Sequence, residues 1–450
     1  MVTAGIMLRT VIKASPTCLF FLQMASKSRA DVKRKCFFMF NLLVIILSLF
    51  YYFNLLTVIK NPGRAAAYAP NIANSSITAL GDNQTFILSP YYDPRRRISS
   101  VRVLAIIHDS VKELYCSFYC FNGTSVAVRG HIEPHNDRFG HLYGTAALLC
   151  REPRRCPYRY ISIHWSKHQN ITHLPIFEVR NRPPPAAPSV NFTVCISTMY
   201  GNYNNVLQTI QSLEMYKLLG AGRVTLYLNQ CHQNLEKVLR YYVEEGILEV
   251  IPWPIDRFLQ TSTAWQYSMN SSSQVGYYGQ TATLNDCLYR NMYRSKFVFL
   301  NDIDEIILPV MHHDWPSLME SLQERYPETS VFSFMNHVFP SLPNDTRLNM
   351  WRDIPGVNIL QNGFKEPATC QCKLLVNPRK VYQTSIHSVL KHDGRFTNLP
   401  VDLAFNYHCK ERPPAVKRDL LVEDRTIWRY NVSLQQNVNK VIQRVSAWIP

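Results

Sequence analysis

The chain is short of acid. Its 450 residues carry 32 Asp+Glu against 48 Lys+Arg, a formal charge of +16. Such an excess often marks a protein that binds nucleic acid, but the supporting signatures are missing. There is no RNA-binding motif, no zinc-finger spacing and no basic-zipper pattern. Cys370-x-Cys372 does not have metal-site spacing. Nucleic acid is therefore not an expected partner. Much of the excess is also local, since seven bases and one acid precede residue 36.

Charge is wholly absent from Cys36–Ile59. That run is long enough to cross a hydrocarbon layer of ~30 Å as a helix. It is too long and begins too late for a cleaved signal peptide. Lys33, Arg34 and Lys35 precede it, and only Lys60 and Arg64 lie close after it. The positive-inside rule then predicts a single-pass type II membrane protein with a cytosolic tail at 1–35 and a luminal remainder. N-x-S/T acceptors are missing before the run and occur after it at Asn74, Asn83, Asn122, Asn170, Asn191, Asn270, Asn344 and Asn431. Ten of the 12 cysteines also follow it, as expected for disulfides in an oxidising compartment.

The luminal part divides by pattern. Residues 60–97 are polar and read as a stem. Residues 98–180 hold short apolar pieces between turn residues, the text of a small all-β module. Cys116, Cys120, Cys150 and Cys156 could staple that module, which is a candidate acceptor-binding element. "NRPPPAAPS" (181–189) is a spacer. From 190 to 435 strands and helices alternate. Strands are expected at 192–198, 223–229, 248–253 and 296–302, and helices at 204–219, 234–245 and 280–294. The pattern predicts an α/β domain with a mostly parallel sheet and crossover helices. Ligands of such sheets bind beyond the carboxyl ends of the strands.

One such end reads "KFVFLNDIDEIILP" (296–309). Asp302, Asp304 and Glu305 crowd onto a strand that otherwise reads as buried. Converging carboxylates repel unless a cation joins them. Mn²⁺ or Mg²⁺ suits oxygen ligands and keeps positions for phosphate oxygens. The pattern is the only D-x-D in the chain, and it points to a metal–diphosphate. The bland alternative is a solvated acidic turn.

With "VCISTMYGN", "VTLYLN", "YGQTATLNDCLYR", "FVFLNDIDEIILP", "SIHSVL" and "NYHCK" in hand, the stretch from Phe192 to His408 resembles glycosyltransferase family 92. One block departs from the usual His-Tyr-Arg-like text and reads His408-Cys409-Lys410. The resemblance implies a GT-A-like fold, a nucleotide-sugar donor (UDP-galactose first), Mn²⁺, and inverting β-transfer of the hexose to a glycan in the Golgi. Galactosylation of N-glycan core fucose is a family-level expectation. Asp302 and Asp304 are the expected metal and diphosphate ligands, with His408, or alternatively His387, as a third. Thr198 and Tyr200 close the first strand, where the nucleotide base should sit. Gln280 and Asp286, on the helix before the acids, are candidates for the donor sugar or ribose. Glu366 and Asp393 are candidate bases for the acceptor hydroxyl. Phe339, Trp351 and Phe364 are a candidate acceptor wall. A second class of function is a membrane-tethered glycan-binding or adhesion protein with an inactive transferase domain.

Overall fold

The computed structural model describes residues 39, 41–48 and 72–446, except 97–98, 183, 186, 341–349 and 362. The chain forms two compact units, Met1–Ala66 and Ala67–Pro450. In the first, only 39 and 41–48 are described, and they are helical and exposed. Among the described residues no helix is long and apolar enough to cross a membrane. The membrane span expected at Cys36–Ile59 is thus not found, and most of that run lies outside the described residues.

The second unit contains two large sheets. Sheet one has eight strands: β1 (Thr78–Ala79), β2 (Thr85–Asp93), β3 (Ser100–His108), β4 (Leu114–Cys120), β5 (Ser125–Pro134), β6 (Tyr143–Arg151), β7 (Tyr158–His164) and β8 (Phe177–Glu178). Their order is β1-β2-β3-β6-β5-β4-β7-β8, with every pairing antiparallel. β5 curls the sheet, because its first part pairs with β4 and its last residues, from His131, pair with β6. Disulfides Cys116–Cys150 and Cys120–Cys156 cross this sheet.

Sheet two is built from β9 (Val190–Met199), β10 (Arg223–Leu228), β11 (Leu248–Pro252), β12 (Ser295–Asn301), β13 (Glu305–Pro309) and β14 (Thr329–Pro340). After the short β15 (Phe364–Lys365) come β16 (Thr369–Val376), the hairpin β17 (Val381–Thr384) and β18 (Val389–His392), then β19 (Arg395–Leu399), β20 (Ala404–Lys410) and the short β21 (Val422–Glu423). The order is β11-β10-β9-β12-β16-β14-β20-β13, with β19 beside β14. The helices are α1 (Val206–Leu219), α2 (Gln233–Glu244), α3 (Gln280–Asn291), α4 (Trp315–Arg325) and α5 (Asn431–Ser446).

The expectation of a mostly parallel α/β architecture is overturned. Strand makes up 37% and helix 24%, and curled antiparallel pairing is prominent. Parallel strands separated by helices are confined to β9–β12. Beyond Asn301, β16 runs antiparallel to both β12 and β14, and β13 to β20. The physical reason is that a strand buried on both faces shows the same apolar run whichever way its neighbour points.

β3 shows how the sheets join. Val101, Val103, Ala105 and Ile107 enter the core of sheet one. The alternate residues Leu104 and Ile106 enter a second core shared with Cys195, Tyr227, Trp253, Leu284 and Leu288 of the other region. Period-two alternation places successive side chains on opposite faces, and here both faces are buried. Helix α3 lies between the sheets, with every residue but Thr281 buried. Most of its polar side-chain groups are matched accordingly, the Asn291 Oδ1 excepted. Asn285 donates to the Thr384 carbonyl at 2.7 Å, and Asn291 to Thr225 Oγ1 at 3.2 Å.

Candidate active site

Asp302 and Asp304 stand in the three-residue link 302–304 between β12 and β13, and Glu305 opens β13, so the acids do not share one extended strand. The register puts Asn301 beside Ile196, so the carboxyl ends of β12 and β9 lie together. Tyr216 of α1 donates to the Glu305 carbonyl at 2.7 Å, and Asn301 Nδ2 donates to the same oxygen at 3.1 Å. Glu305 Oε2 accepts the Asp302 amide at 3.2 Å. The turn is therefore fixed by its own third acid.

Each carboxylate has its own bracing. Asp302 Oδ1 accepts from Ser197 Oγ at 2.7 Å and from Gln280 Nε2 at 3.1 Å. Its Oδ2 meets Lys373 Nζ at 2.6 Å, and the same ammonium reaches Glu305 at 2.8 Å. Asp304 Oδ2 lies 3.0 Å from His408 Nε2, and His408 Nδ1 is 3.1 Å from Glu305 Oε1. Strand pairing enforces this, because Glu305 sits directly opposite His408. Exposure separates the acids by role. The side chains of Asp302 and Asp304 are 34% and 30% exposed, whereas Glu305 and Lys373 are at 2%. Only the first two can meet a ligand.

Burial pushes the Asp302 carboxyl up, but Lys373 more than offsets it, aided by Ser197, and the group is held well below the usual carboxylate range. Burial would lower the His408 imidazole, yet Glu305 and Asp304 outweigh it and raise its pKa. Lys373 is likewise raised, because Asp302 and Glu305 overcome its desolvation. Groups of opposite charge thus brace one another across the turn.

Thr198 and Tyr200 close β9 next to this turn. Thr198 Oγ1 donates to the Tyr278 carbonyl at 3.3 Å, and the rings of Tyr200 and Tyr278 stack at 4.2 Å. Tyr277, Tyr278 and Gly279 all have positive φ, so the chain doubles back tightly before α3 begins. That turn delivers Gln280 to Asp302. His387 does not touch the acids. Its Nδ1 lies 3.0 Å from the Cys372 carbonyl, one residue from Lys373.

Other expected residues lie apart. Asp286 is buried, and both its oxygens are taken by Tyr91 (2.7 Å), Tyr227 (2.6 Å) and Arg290 (3.0 Å). It ties the two sheets together, and no oxygen is left for a donor. Glu366 is clamped by Arg412 at 3.0 and 2.9 Å and by the Ala415 amide at 2.7 Å. Asp393, exposed at the turn after β18, accepts from Tyr382 at 2.7 Å. Phe339 is a core residue, Trp351 Nε1 donates to Asn439, and Phe364 lies in β15. Six sequon asparagines (74, 83, 122, 170, 191 and 270) are exposed and Asn431 is half-buried; Asn344 lies outside the described residues.

A divalent cation needs suitable donors. Among the described residues no three His, Cys, Asp or Glu side chains form a ready-made cage. The Asp304 oxygen and the His408 nitrogen at 3.0 Å, with the half-open Asp302 nearby, form a set that a nucleotide diphosphate would complete. Small hard cations are commonly held in that way, by one or two carboxylates plus substrate phosphates. The residues present fit such an ion.

Residues 190–449, which carry this whole site, match the family description "Glycosyltransferase family 92". The chain belongs to glycosyltransferase family 92. It is a glycosyltransferase, as expected from its sequence blocks. Three proteins of Caenorhabditis elegans are similar to it. Beta-1,4-galactosyltransferase galt-1 is 22% identical over 82% of this chain and 84% of its own length. Family 92 proteins F13G3.3 and C33H5.2 are 28% and 26% identical, covering 48% and 42% of this chain and 40% and 34% of theirs.

Sequence reasoning missed Ser197 and Lys373, which hold Asp302. Ser197 had a signal, since it immediately precedes Thr198 at a strand end already chosen. Lys373 had only its place as a lone charge at the head of an apolar run, "KLLV".

Proposed function

We propose that this family 92 enzyme transfers a hexose, galactose first, from a UDP-sugar to a glycan hydroxyl with inversion, in the Golgi lumen. The observation that carries the reading is the braced and half-open pair Asp302 and Asp304 at the joined ends of β9 and β12. The fit of the donor set favours Mn²⁺, held by Asp304, His408 and Asp302. When bound, the cation supplies charge to offset that building on the departing diphosphate.

The chain's own residues prepare this. Ser197, Gln280 and Lys373 fix the orientation of Asp302 and keep it ionised. Glu305 sets the turn and faces His408 across the strand pair. Tyr200 and Tyr278 offer an aromatic pair for the uracil. The acceptor oxygen attacks the anomeric carbon opposite the UDP, the carbon–phosphate oxygen bond breaks, and the hydroxyl proton passes to a base. Galactose as donor is supported by the similarity to beta-1,4-galactosyltransferase galt-1. N-glycan core fucose remains the acceptor to test first. Exposed sequons and three disulfides favour a luminal setting.

The test is UDP-galactose hydrolysis and transfer by the full chain across a Mn²⁺ titration. Chelation should abolish both activities, and Mn²⁺ should restore them. Activity indifferent to chelation would remove the metal from the reading.

A further inference from the structure

Helix α3 runs between two unlike ends. Its first residue, Gln280, reaches the acid turn. Its 12 residues put the last turn about 18 Å away, at about 1.5 Å of rise each. There, where the seam between the two sheets ends, four segments come together. The Asn181 side-chain amide donates to the Tyr289 carbonyl at 2.9 Å, so the stretch after β8 lies against the helix end. Arg182 of that stretch pairs with Glu152 at 2.5 Å, which brings in the loop between β6 and β7. Arg379, between β16 and β17, donates to the carbonyls of Met292, Ser295 and Lys296 at 2.9, 2.6 and 2.6 Å. That turn is thereby tied to the start of β12. Arg95 joins the halves, reaching the Tyr289 hydroxyl at 2.8 Å and the Val381 carbonyl at 2.6 Å.

These four segments carry more positive charge than the acids beside them can match. Arg151, Arg154, Arg155, Arg180, Lys296 and Lys380 are exposed. Among the described residues, none of the six pairs with a carboxylate. The acids close by are already taken. Glu152 serves Arg182, Tyr158 and Ser99. Glu249 is shared by Arg223 at 3.4 Å, Arg290 at 3.7 Å and Arg294 at 3.4 Å. Arg155 has φ of 60°, a left-handed conformation that glycine or asparagine adopts more readily. An arginine stands there instead, beside the Cys120–Cys156 disulfide that holds the loop. Among their described residues, the four segments expose no large apolar or aromatic side chain.

The partner's chemistry follows from what is present and what is missing. Guanidinium forks suit the oxygens of sulfate, phosphate and carboxylate groups. Six cations on four separate segments form no single pocket, so they suit a ligand that carries its charge along a chain. A protein partner would need an apolar centre to its interface. A face seated in a bilayer would need apolar side chains to sink into it. Single-stranded nucleic acid would need exposed rings for its bases. None of these is offered. We propose that this end of the molecule is a binding face for a sulfated polysaccharide, held by the six cations. The face lies apart from the acid turn and does not rest on the transferase reading. A polysaccharide bound there leaves Asp302 and Asp304 uncovered.

The experiment measures binding of heparin fragments of defined length to the full chain by calorimetry, at about 0.1 M salt and above. Two triple variants of equal charge change are compared. One is Arg151→Gln, Arg154→Gln and Arg155→Gln at this face. The other is Lys112→Gln, Lys440→Gln and Arg444→Gln, at exposed positions elsewhere. Circular dichroism verifies the fold of each. The face variant should weaken binding about tenfold or more and flatten its salt dependence, and the other should change it less than about twofold. Lys296→Gln with Lys380→Gln should also weaken it, because both belong to the same face. Should the face variant fail to fold, this pair decides, and unchanged binding in it overturns the proposal. Equal losses in the two triple variants reveal attraction to net charge alone and overturn it too. So does a wild type that binds no heparin fragment, or that binds desulfated fragments as tightly as sulfated ones. Tighter, face-dependent binding of a single-stranded oligonucleotide or of phosphatidylserine vesicles would overturn the choice of partner.

Discussion

Two clusters of buried charge meet helix α3 near its two ends, at Gln280 and at Tyr289, and they are built alike but left differently. In the seam cluster Asp93 meets Arg95 at 2.7 Å and Arg102 at 3.0 Å, while Glu133 meets Arg102 at 2.8 Å and also Lys391. Asp93 and Arg102 are at 2% and 1% exposure. In the acid turn, ion pairing is just as dense, but Asp302 and Asp304 remain about one-third open. Pairing alone therefore says nothing about role. The closed cluster joins elements, and the open one presents charge to solvent and ligand.

The largest effect should come from cutting the seam away. A fragment starting at Ser189 would uncover α3, the Asp286 network and the apolar residues shared with β2, β3 and β6. It is expected to be insoluble or unfolded by circular dichroism. A soluble fragment that still binds UDP would show that the two sheets fold separately.

Next come substitutions that set the clusters against each other. Arg102→Leu leaves Asp93 and Glu133 each short of a partner and should cost about 3 kcal/mol of stability, read by thermal melting. Asp302→Asn and Asp304→Asn should hardly move the melting point. They should lower transfer by about two orders of magnitude, each tenfold being ~1.4 kcal/mol of barrier. Equal stability losses in both clusters would erase the distinction.

Acid should sharpen it. Burial pushes the Asp93 carboxyl up, but Arg95 and Arg102 prevail and bring it to about 2. A depressed carboxylate contributes stability that is complete above its unfolded value and is lost as pH falls through the folded one. The seam should then weaken between about pH 4 and pH 2, by roughly 2 kcal/mol from this group. A wild-type melting point falling less over that range than that of Asp93→Asn would contradict this. The smallest effect is expected at His387, which touches a carbonyl and no acid. His387→Ala should leave the Mn²⁺ requirement within about twofold, whereas His408→Ala should raise it at least tenfold.

Much of this was legible in the sequence, for identifiable reasons. Strands and helices from Val190 to Asn301 lie where their periodicity puts them, because each carries its own apolar pattern. The acid turn announced itself through three carboxylates at the end of an apolar run. Pairing direction beyond Asn301 was not legible, since a buried strand carries no record of its neighbour's sense. Asp286 read as a ligand because its partners Tyr91 and Tyr227 are 195 and 59 residues away in sequence. Glu366 read as a base for the same reason, with Arg412 46 residues further on. Lys373 was invisible, because one lysine before "LLV" looks like any snorkelling side chain.

The disulfide Cys195–Cys287 joins β9 to α3 across 92 residues. Those same two elements carry Ser197 and Gln280, the groups that orient Asp302. Closing a loop of that size removes chain entropy from the unfolded state worth about 4–5 kcal/mol. The bond thus acts as a clasp between the two elements that brace Asp302, fastened only where thiols are oxidised. A chain made in a reducing compartment would carry every residue of the site and lack the fastening that keeps Ser197 and Gln280 in step. Its activity would then depend on where it was folded as much as on what it contains.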